Sequence, residues 1–322
     1  NPYGPSRVAL KAVNANLHLL NRYSWDTRPL AKILADINGV STDNVVVGTG
    51  STEILRIAGM MAASNKGSIV AADPTYQDLL NNAEKHGAEI IRVPVDENLT
   101  FDLDAMAAAV RNDTDMIYLV NPNNPIPTVM NKDAMRNFVL EMSEERLVFV
   151  DEAYHEFVDN PDYESMLGLV AAGHKNIIVA RTASKIHGLA GMRIGFGFAH
   201  PELAQERRLM RTGDTNALAV EAAHASYLDP EFPEFVIRKN KESRAIVENM
   251  CEELGLRYVK SNANFTFIQT GMENAKYQER MQEYGILTGR DFRPYHSSWS
   301  RISMGRPEEM EYYVQIHKRL FG

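Results

Sequence analysis

Residues 180–197 read ARTASKIHGLAGMRIGFG. Thr182 and Ser184 stand just before Lys185, and glycines and Arg193 follow within a mostly apolar run. Surface lysines usually lie among polar neighbours. A lysine in this setting asks for a chemical role, and the role depends on the fold around it.

The stretch is flanked by two short apolar runs, NIIVA (176–180) and RIGFGF (193–198). Upstream come five more: VVVG (45–48), SIVAAD (68–73), EIIRVPV (89–95), MIYLV (116–120) and LVFVD (147–151). Most are too short and too continuously apolar for amphipathic helices, and suit strands buried on both faces of a mostly parallel sheet. Helical patterns lie between several of them, as in TEILRIAGMMAAS (52–64), YQDLLNNAEKHG (76–87) and LDAMAAAVRN (103–112). Such alternation implies an α/β fold, with a seven-stranded sheet between helices.

The last third changes character. A long helical pattern over 232–255 ends at Gly255. Short alternating segments follow, YVKSNANFTFIQT (258–270) and SWSRISMG (298–305), with a final helix from about Pro307. This reads as a smaller α+β domain. The expected division is a large domain over 24–215 and a small domain made of 1–23 and 216–322.

Composition narrows the function classes. The chain has 322 residues, 44% apolar and 24% charged, as in an ordinary globular enzyme. Its net charge of -8 argues against nucleic acid or an anionic membrane as partner. No apolar run approaches the roughly 20 residues of a membrane span. The single cysteine, Cys251, excludes an intrachain disulfide framework. The cytoplasm is the default compartment. Export stays open, because the sequence begins at Asn1 without a methionine and a preceding segment is expected.

Ligands of open α/β sheets bind beyond the carboxyl ends of the strands. Five strand ends deliver polar groups to that edge: TGSTE after 48, Asp73-Pro74-Thr75-Tyr76, Asn121-Pro122-Asn123-Asn124-Pro125, Asp151-Glu152-Ala153-Tyr154 and Arg181-Thr182-Ala183-Ser184-Lys185. The glycines before Ser51 and Thr52 lead into a helix whose free amides suit an anion. A dinucleotide fingerprint fails, because Glu53 and His200 occupy the third-glycine positions. No P-loop, zinc-protease spacing or G-x-S-x-G elbow is present. A lysine, an aspartate and several phosphate-type donors remain, and no metal site is expected.

This set resembles the fold-type I pyridoxal-phosphate (PLP) enzymes, in particular the histidinol-phosphate aminotransferase-like branch of the class I/II aminotransferases. The landmarks run in order from NPYGPS (1–6) through NRY (21–23), GTGSTE (48–53), DPTY (73–76), NPNNP (121–125), VDEAY (150–154), TASK (182–185) and GLAGMRIG (188–195) to SRISMG (300–305). One such motif is weak; the ordered series is specific.

The resemblance implies a role for each landmark. Lys185 is implied as the Schiff-base lysine and the proton carrier. An ammonium desolvated among apolar groups gives up its proton more easily, which fits that work. Asp151 is implied as the partner of the pyridinium nitrogen, with Tyr154 and Asn124 at the ring's phenolic oxygen and Tyr76 stacked on the ring. The phosphate falls to the amides of Ser51 and Thr52, the hydroxyls of Thr182 and Ser184, and Arg193. Tyr23 resembles a tyrosine that reaches the cofactor phosphate from a neighbouring subunit, which implies a homodimer. Arg301 resembles the arginine that grips a substrate anion, Arg290 assists, and Tyr3 lines the substrate entrance.

Two segments depart from the family pattern. NPNNPIPT stands where NPNNPTG is common, so Ile126 and Pro127 alter the cofactor loop. GILTGRDF stands where GVLVRDF is more usual, which puts the grip on a substrate phosphate in question. The expected activity is amino-group transfer between a glutamate-like donor and a keto acid or imidazoleacetol phosphate. The alternatives are an aminotransferase of other specificity, and a decarboxylase or C–S lyase on the same fold. A PLP-binding regulatory protein without turnover is disfavoured by the intact Asp151 and Lys185.

Overall fold

The computed structural model describes residues 1–23, 26–64, 66–210 and 213–322. The expected start of the large domain, Ser24, lies outside the described residues.

The apolar runs form β1 (Val45–Gly48), β2 (Ser68–Asp73), β3 (Glu89–Pro94), β4 (Thr114–Val120), β5 (Leu147–Asp151), β6 (Ile177–Thr182) and β7 (Gly195–Ala199). They join in one sheet of order β1-β7-β6-β5-β4-β2-β3. The neighbours from β3 through β6 are parallel, while β7 runs antiparallel to both β1 and β6.

Continuous apolarity has its cause in two covered faces. Ile117, Leu119, Val148, Val150 and Val179 enter one buried cluster. Their chain neighbours Met116, Tyr118, Phe149 and Ile178 enter the other, under the helix Ser51–Ser64. Side chains alternate along a strand, so both core faces draw on the same runs. The edge strand β3 departs from the expectation of double burial: Glu89, Arg92 and Pro94 are exposed. The seventh strand starts at Gly195, not at 193, because Arg193 adopts a left-handed backbone (φ 56°) that no strand accommodates.

A second, antiparallel sheet holds β8 (Tyr258–Val259), β9 (Phe265–Gln269) and β10 (Trp299–Ser303), in the order β10-β9-β8. The helix Glu231–Leu254, ended by Gly255 at φ 64°, packs against the last helix, Pro307–Phe321. Val247, Met250, Ile268, Ile302 and Tyr313 form the core of this unit. The helix Arg7–Ala15 packs on the helix Ala217–Tyr227, whose Ala219, Val220 and Ala223 enter the main-sheet cluster. Among the described residues no helix is long and apolar enough to cross a membrane.

Candidate active site

At the carboxyl edge of the parallel strands lies a cavity of about 240 Å³. It gathers the ends of β4, β5 and β6, the start of the helix Ser51–Ser64, and the turn before β7. Ten residues expected around a cofactor line it: Ser51, Thr52, Tyr76, Asn124, Asp151, Tyr154, Thr182, Ser184, Lys185 and Arg193. Tyr23 does not; its side chain is 82% exposed on the surface.

One end of the cavity is built for an anion. Ser51 and Thr52 open the helix, so their amides have no partner within it. Gly195 lets β7 pass directly beneath: a Cβ there would lie 2.1 Å from the Ser51 nitrogen. Arg193 arches over this end, donating to the Ala190 carbonyl at 3.0 Å and to Thr52 Oγ1 at 3.4 Å. Gly50, at φ 78°, leaves room for the guanidinium, which a Cβ would meet at 2.5 Å. Thr182 Oγ1 accepts from the Ser184 amide at 3.1 Å, which fixes the turn into Lys185. A guanidinium, hydroxyls and free amides converge here, the donor set of a phosphate site.

The other end is aromatic and acidic. Asp151 is 3% exposed and accepts from the Ala153 amide at 3.1 Å. Burial pushes its carboxyl up to about 7, against the lowering by that amide and by Lys185. A buried carboxylate held so high calls for a cationic donor, which a protonated pyridine nitrogen supplies. Lys185 Nζ stands 5.0 Å from the centre of the Tyr154 ring, and Tyr154 meets Phe265 edge-on at 5.1 Å. The cavity's chemistry therefore fits PLP at both ends.

Residues outside the expected set shape this wall. Behind Asp151, the buried Glu152 pairs with Arg181 at 2.9 Å, and Arg181 also donates to Asn38 and Ser165. Asn123 accepts from Thr75 Oγ1 at 2.8 Å and donates to the Pro74 carbonyl at 3.0 Å, tying two strand ends together. No sequence signal separated their roles from those of their strand-end neighbours. The departure at Ile126-Pro127 is accommodated plainly. Ile126 is fully buried, and the Pro127 carbonyl accepts from the Asn262 amide of the small unit at 3.0 Å.

The expected substrate residues fall in two places. Arg301, on β10, donates from Nη1 to Asn124 Oδ1 at 2.9 Å, and its Nε is buried without a partner. Burial holds its guanidinium below the usual arginine value. Arg290 is exposed and lines a neighbouring cavity of about 570 Å³ that also contains Tyr76. Tyr3 lines neither; it packs edge-on against Phe235 at 4.9 Å, beside the cluster of Tyr154 and Phe265.

Fold and cavity together define a PLP enzyme of fold type I. Residues 19–316 match the family model described as aminotransferase class I and II, and the chain belongs to that family. It is a PLP-dependent aminotransferase. Similar curated proteins include histidinol-phosphate aminotransferases of Moorella thermoacetica, 32% identical over 100% of this chain and 84% of that one, and of Akkermansia muciniphila, 32% identical over 99% and 88%. Among solved structures, the histidinol-phosphate aminotransferase of Sinorhizobium meliloti, in complex with pyridoxal-5'-phosphate, superposes with a TM-score of 0.87. It is 26% identical over 99% of this chain and 89% of that one. The L-threonine-O-3-phosphate decarboxylase of Porphyromonas gingivalis, 21% identical over 98% and 95% with a TM-score of 0.83, shares the fold.

Proposed function

We propose that this aminotransferase moves an amino group from a glutamate-like donor to a keto acid carrying a second anionic group, with imidazoleacetol phosphate the preferred acceptor. The observation that carries the reading is Arg301. It is a half-buried guanidinium bonded to Asn124 of the cavity wall, with one N–H unpartnered, and Arg290 lies near it. Among the described residues no carboxylate pairs with either arginine. The names of the similar curated proteins support the acceptor.

Asp151, Tyr154, Asn124 and Tyr76 hold the cofactor ring in this reading. Ser51, Thr52, Thr182, Ser184 and Arg193 hold its phosphate. When bound, PLP supplies an electron sink that makes the substrate Cα–H acidic. Lys185 Nζ anchors the cofactor, then removes the proton from the substrate Cα and retains it for redelivery. Asp151 stays anionic against the ring nitrogen. Arg301 fixes the substrate carboxylate through its planar fork, Arg290 takes a distal anion, and Tyr3 supports the entrance wall.

The working unit in this reading is a homodimer in the cytoplasm. The exposed Tyr23 reaches the partner's phosphate site. The large unit over 24–215 carries the cofactor, while 1–23 and 216–322 close over the substrate. The reading is tested with histidinol phosphate. Transamination with kcat/KM well above that for free aromatic or basic amino acids is expected. Failure of histidinol phosphate either to react or to compete with glutamate would leave a broader amino-acid aminotransferase as the assignment.

A further inference from the structure

The segment that departs from the family pattern, GILTGRDF, is fastened by one buried side chain. Asn274 is the first residue of the helix Asn274–Gln282 and is fully buried. Its Nδ2 donates to the Gly289 carbonyl at 3.1 Å and to Asp291 Oδ1 at 2.7 Å. Its Oδ1 accepts from the hydroxyl of Ser300, itself buried. Gly289 and Asp291 are the chain neighbours of Arg290, and Ser300 is the neighbour of Arg301. A single carboxamide thus ties the residues flanking Arg290 to the residue preceding Arg301.

Gly289 completes the link. Its amide donates to the Arg301 carbonyl at 2.9 Å, and a Cβ at this position would lie 2.5 Å from that oxygen. Gln278 also donates to the Gly289 carbonyl. The result appears on the front face. The guanidinium carbons of Arg290 and Arg301 lie 5.3 and 5.2 Å from the centre of the same ring, Phe292. Two like charges held against one ring repel unless an anion or the scaffold holds them. Here the scaffold is Asn274.

We propose that Asn274 is a positioning residue for substrate recognition: by tying residues 289–291 to Ser300 it sets the spacing of the Arg290 and Arg301 guanidiniums, and so selects dianionic substrates of matching length. This rests on the assignment of those arginines to the substrate's anions. Asn274 lines neither of the two cavities. A buried, fully hydrogen-bonded amide orients whatever is attached to its partners, because breaking one bond leaves a buried group unsatisfied.

The test uses holoenzyme with succinate as a non-reacting dicarboxylate, titrated by calorimetry, beside steady-state kinetics with glutamate. Asn274→Asp keeps the shape and the acceptor for Ser300 but sets a carboxylate against Asp291 and the Gly289 carbonyl. It should weaken succinate and raise KM for glutamate about tenfold, the equivalent of one lost hydrogen bond. PLP content and kcat should stay within about twofold. Gln278→Ala, a milder change, should move the same quantities in the same direction if Asn274→Asp does not fold. Unchanged succinate affinity in folded variants overturns the proposal, as does a fall in kcat that tracks lost PLP. Arg301→Lys serves as the control. If it weakens succinate and the Asn274 variant does not, only the positioning role fails; if it has no effect either, the assignment of the arginines fails as well.

Discussion

Arg301 on the small sheet and Asn124 on the loop after β4 are joined by a 2.9 Å hydrogen bond that links that sheet to the main one. The same asparagine lines the cavity at the ends of β4 to β6, so the arginine proposed to bind the substrate anion is tied directly to that cavity's wall. Arg301→Lys should raise KM for amino-acid donors by about 1.5–3 kcal/mol in binding terms, because an ammonium cannot serve both Asn124 and a carboxylate fork. Steady-state kinetics with glutamate measures this, and an unaltered KM would remove Arg301 from substrate binding.

Lys185 is the expected covalent anchor. Borohydride reduction of the holoenzyme followed by peptide mass mapping should find the pyridoxyl group on Lys185. Lys185→Ala should retain PLP through the anion cradle and Asp151, yet lose about 10²–10⁴-fold or more in turnover. An adduct on another lysine sinks the assignment.

Asp151 makes opposite predictions for the two forms of the enzyme. Its folded pKa, pushed up to about 7, exceeds the unfolded value of 3.8, so the native apoenzyme binds more protons between those values. Its stability contribution therefore falls as pH rises through this window. Asp151→Asn should raise the apoenzyme's Tm at pH 8 while abolishing efficient turnover of the holoenzyme. Calorimetry at pH 5 and pH 8 reads the first part; a variant no more stable at pH 8 contradicts it.

Two buried histidines act the other way. His187, bonded to Ser226, and His317, bonded to Tyr277, are both lowered to about 4 by burial. The unfolded chain, with histidines near 6.5, takes up protons first as the pH falls. Stability contributed by the neutral rings is complete above about 6.5 and is lost towards pH 4. Each contributes up to roughly 3 kcal/mol. Replacing His317 by Gln should flatten the fall of Tm between pH 6.5 and 4; an unchanged slope assigns the acid lability elsewhere.

Tyr23 tests the assembly. Tyr23→Phe should weaken PLP binding by about 1 kcal/mol, one hydrogen bond's net value. Mixing inactive Lys185→Ala subunits with Tyr23→Phe subunits should give heterodimers containing one unmutated site. Full cofactor affinity in a monomer by light scattering would refute the composite site.

Much of this was legible because buried strands and strand-end chemistry are local patterns. The seven runs, the glycine that ends the long helix, and ten of the cavity residues are visible as short motifs in order. Three kinds of feature were not. The bare edge of β3 depends on which strand lies outermost, a tertiary fact that apolar runs do not encode. The left-handed Arg193 is set by the cradle it arches over. Asn274 and Gly289 lie 15 residues apart in sequence and act only because β10 returns beside them.

The antiparallel placement of β7 has a consequence for how the enzyme is made. The cradle proposed for the phosphate brings Ser51 and Thr52 beside Arg193, and these meet when β1 pairs with β7, about 150 residues later in the chain. Contacts so distant in sequence form late, after the loop between them has been ordered. A chain that ends between Lys185 and Gly195 therefore has its lysine but lacks β7 and this pairing. PLP, which adds stability only to the state that binds it, then stabilises the chain after β1 and β7 have paired rather than aiding the first folding steps.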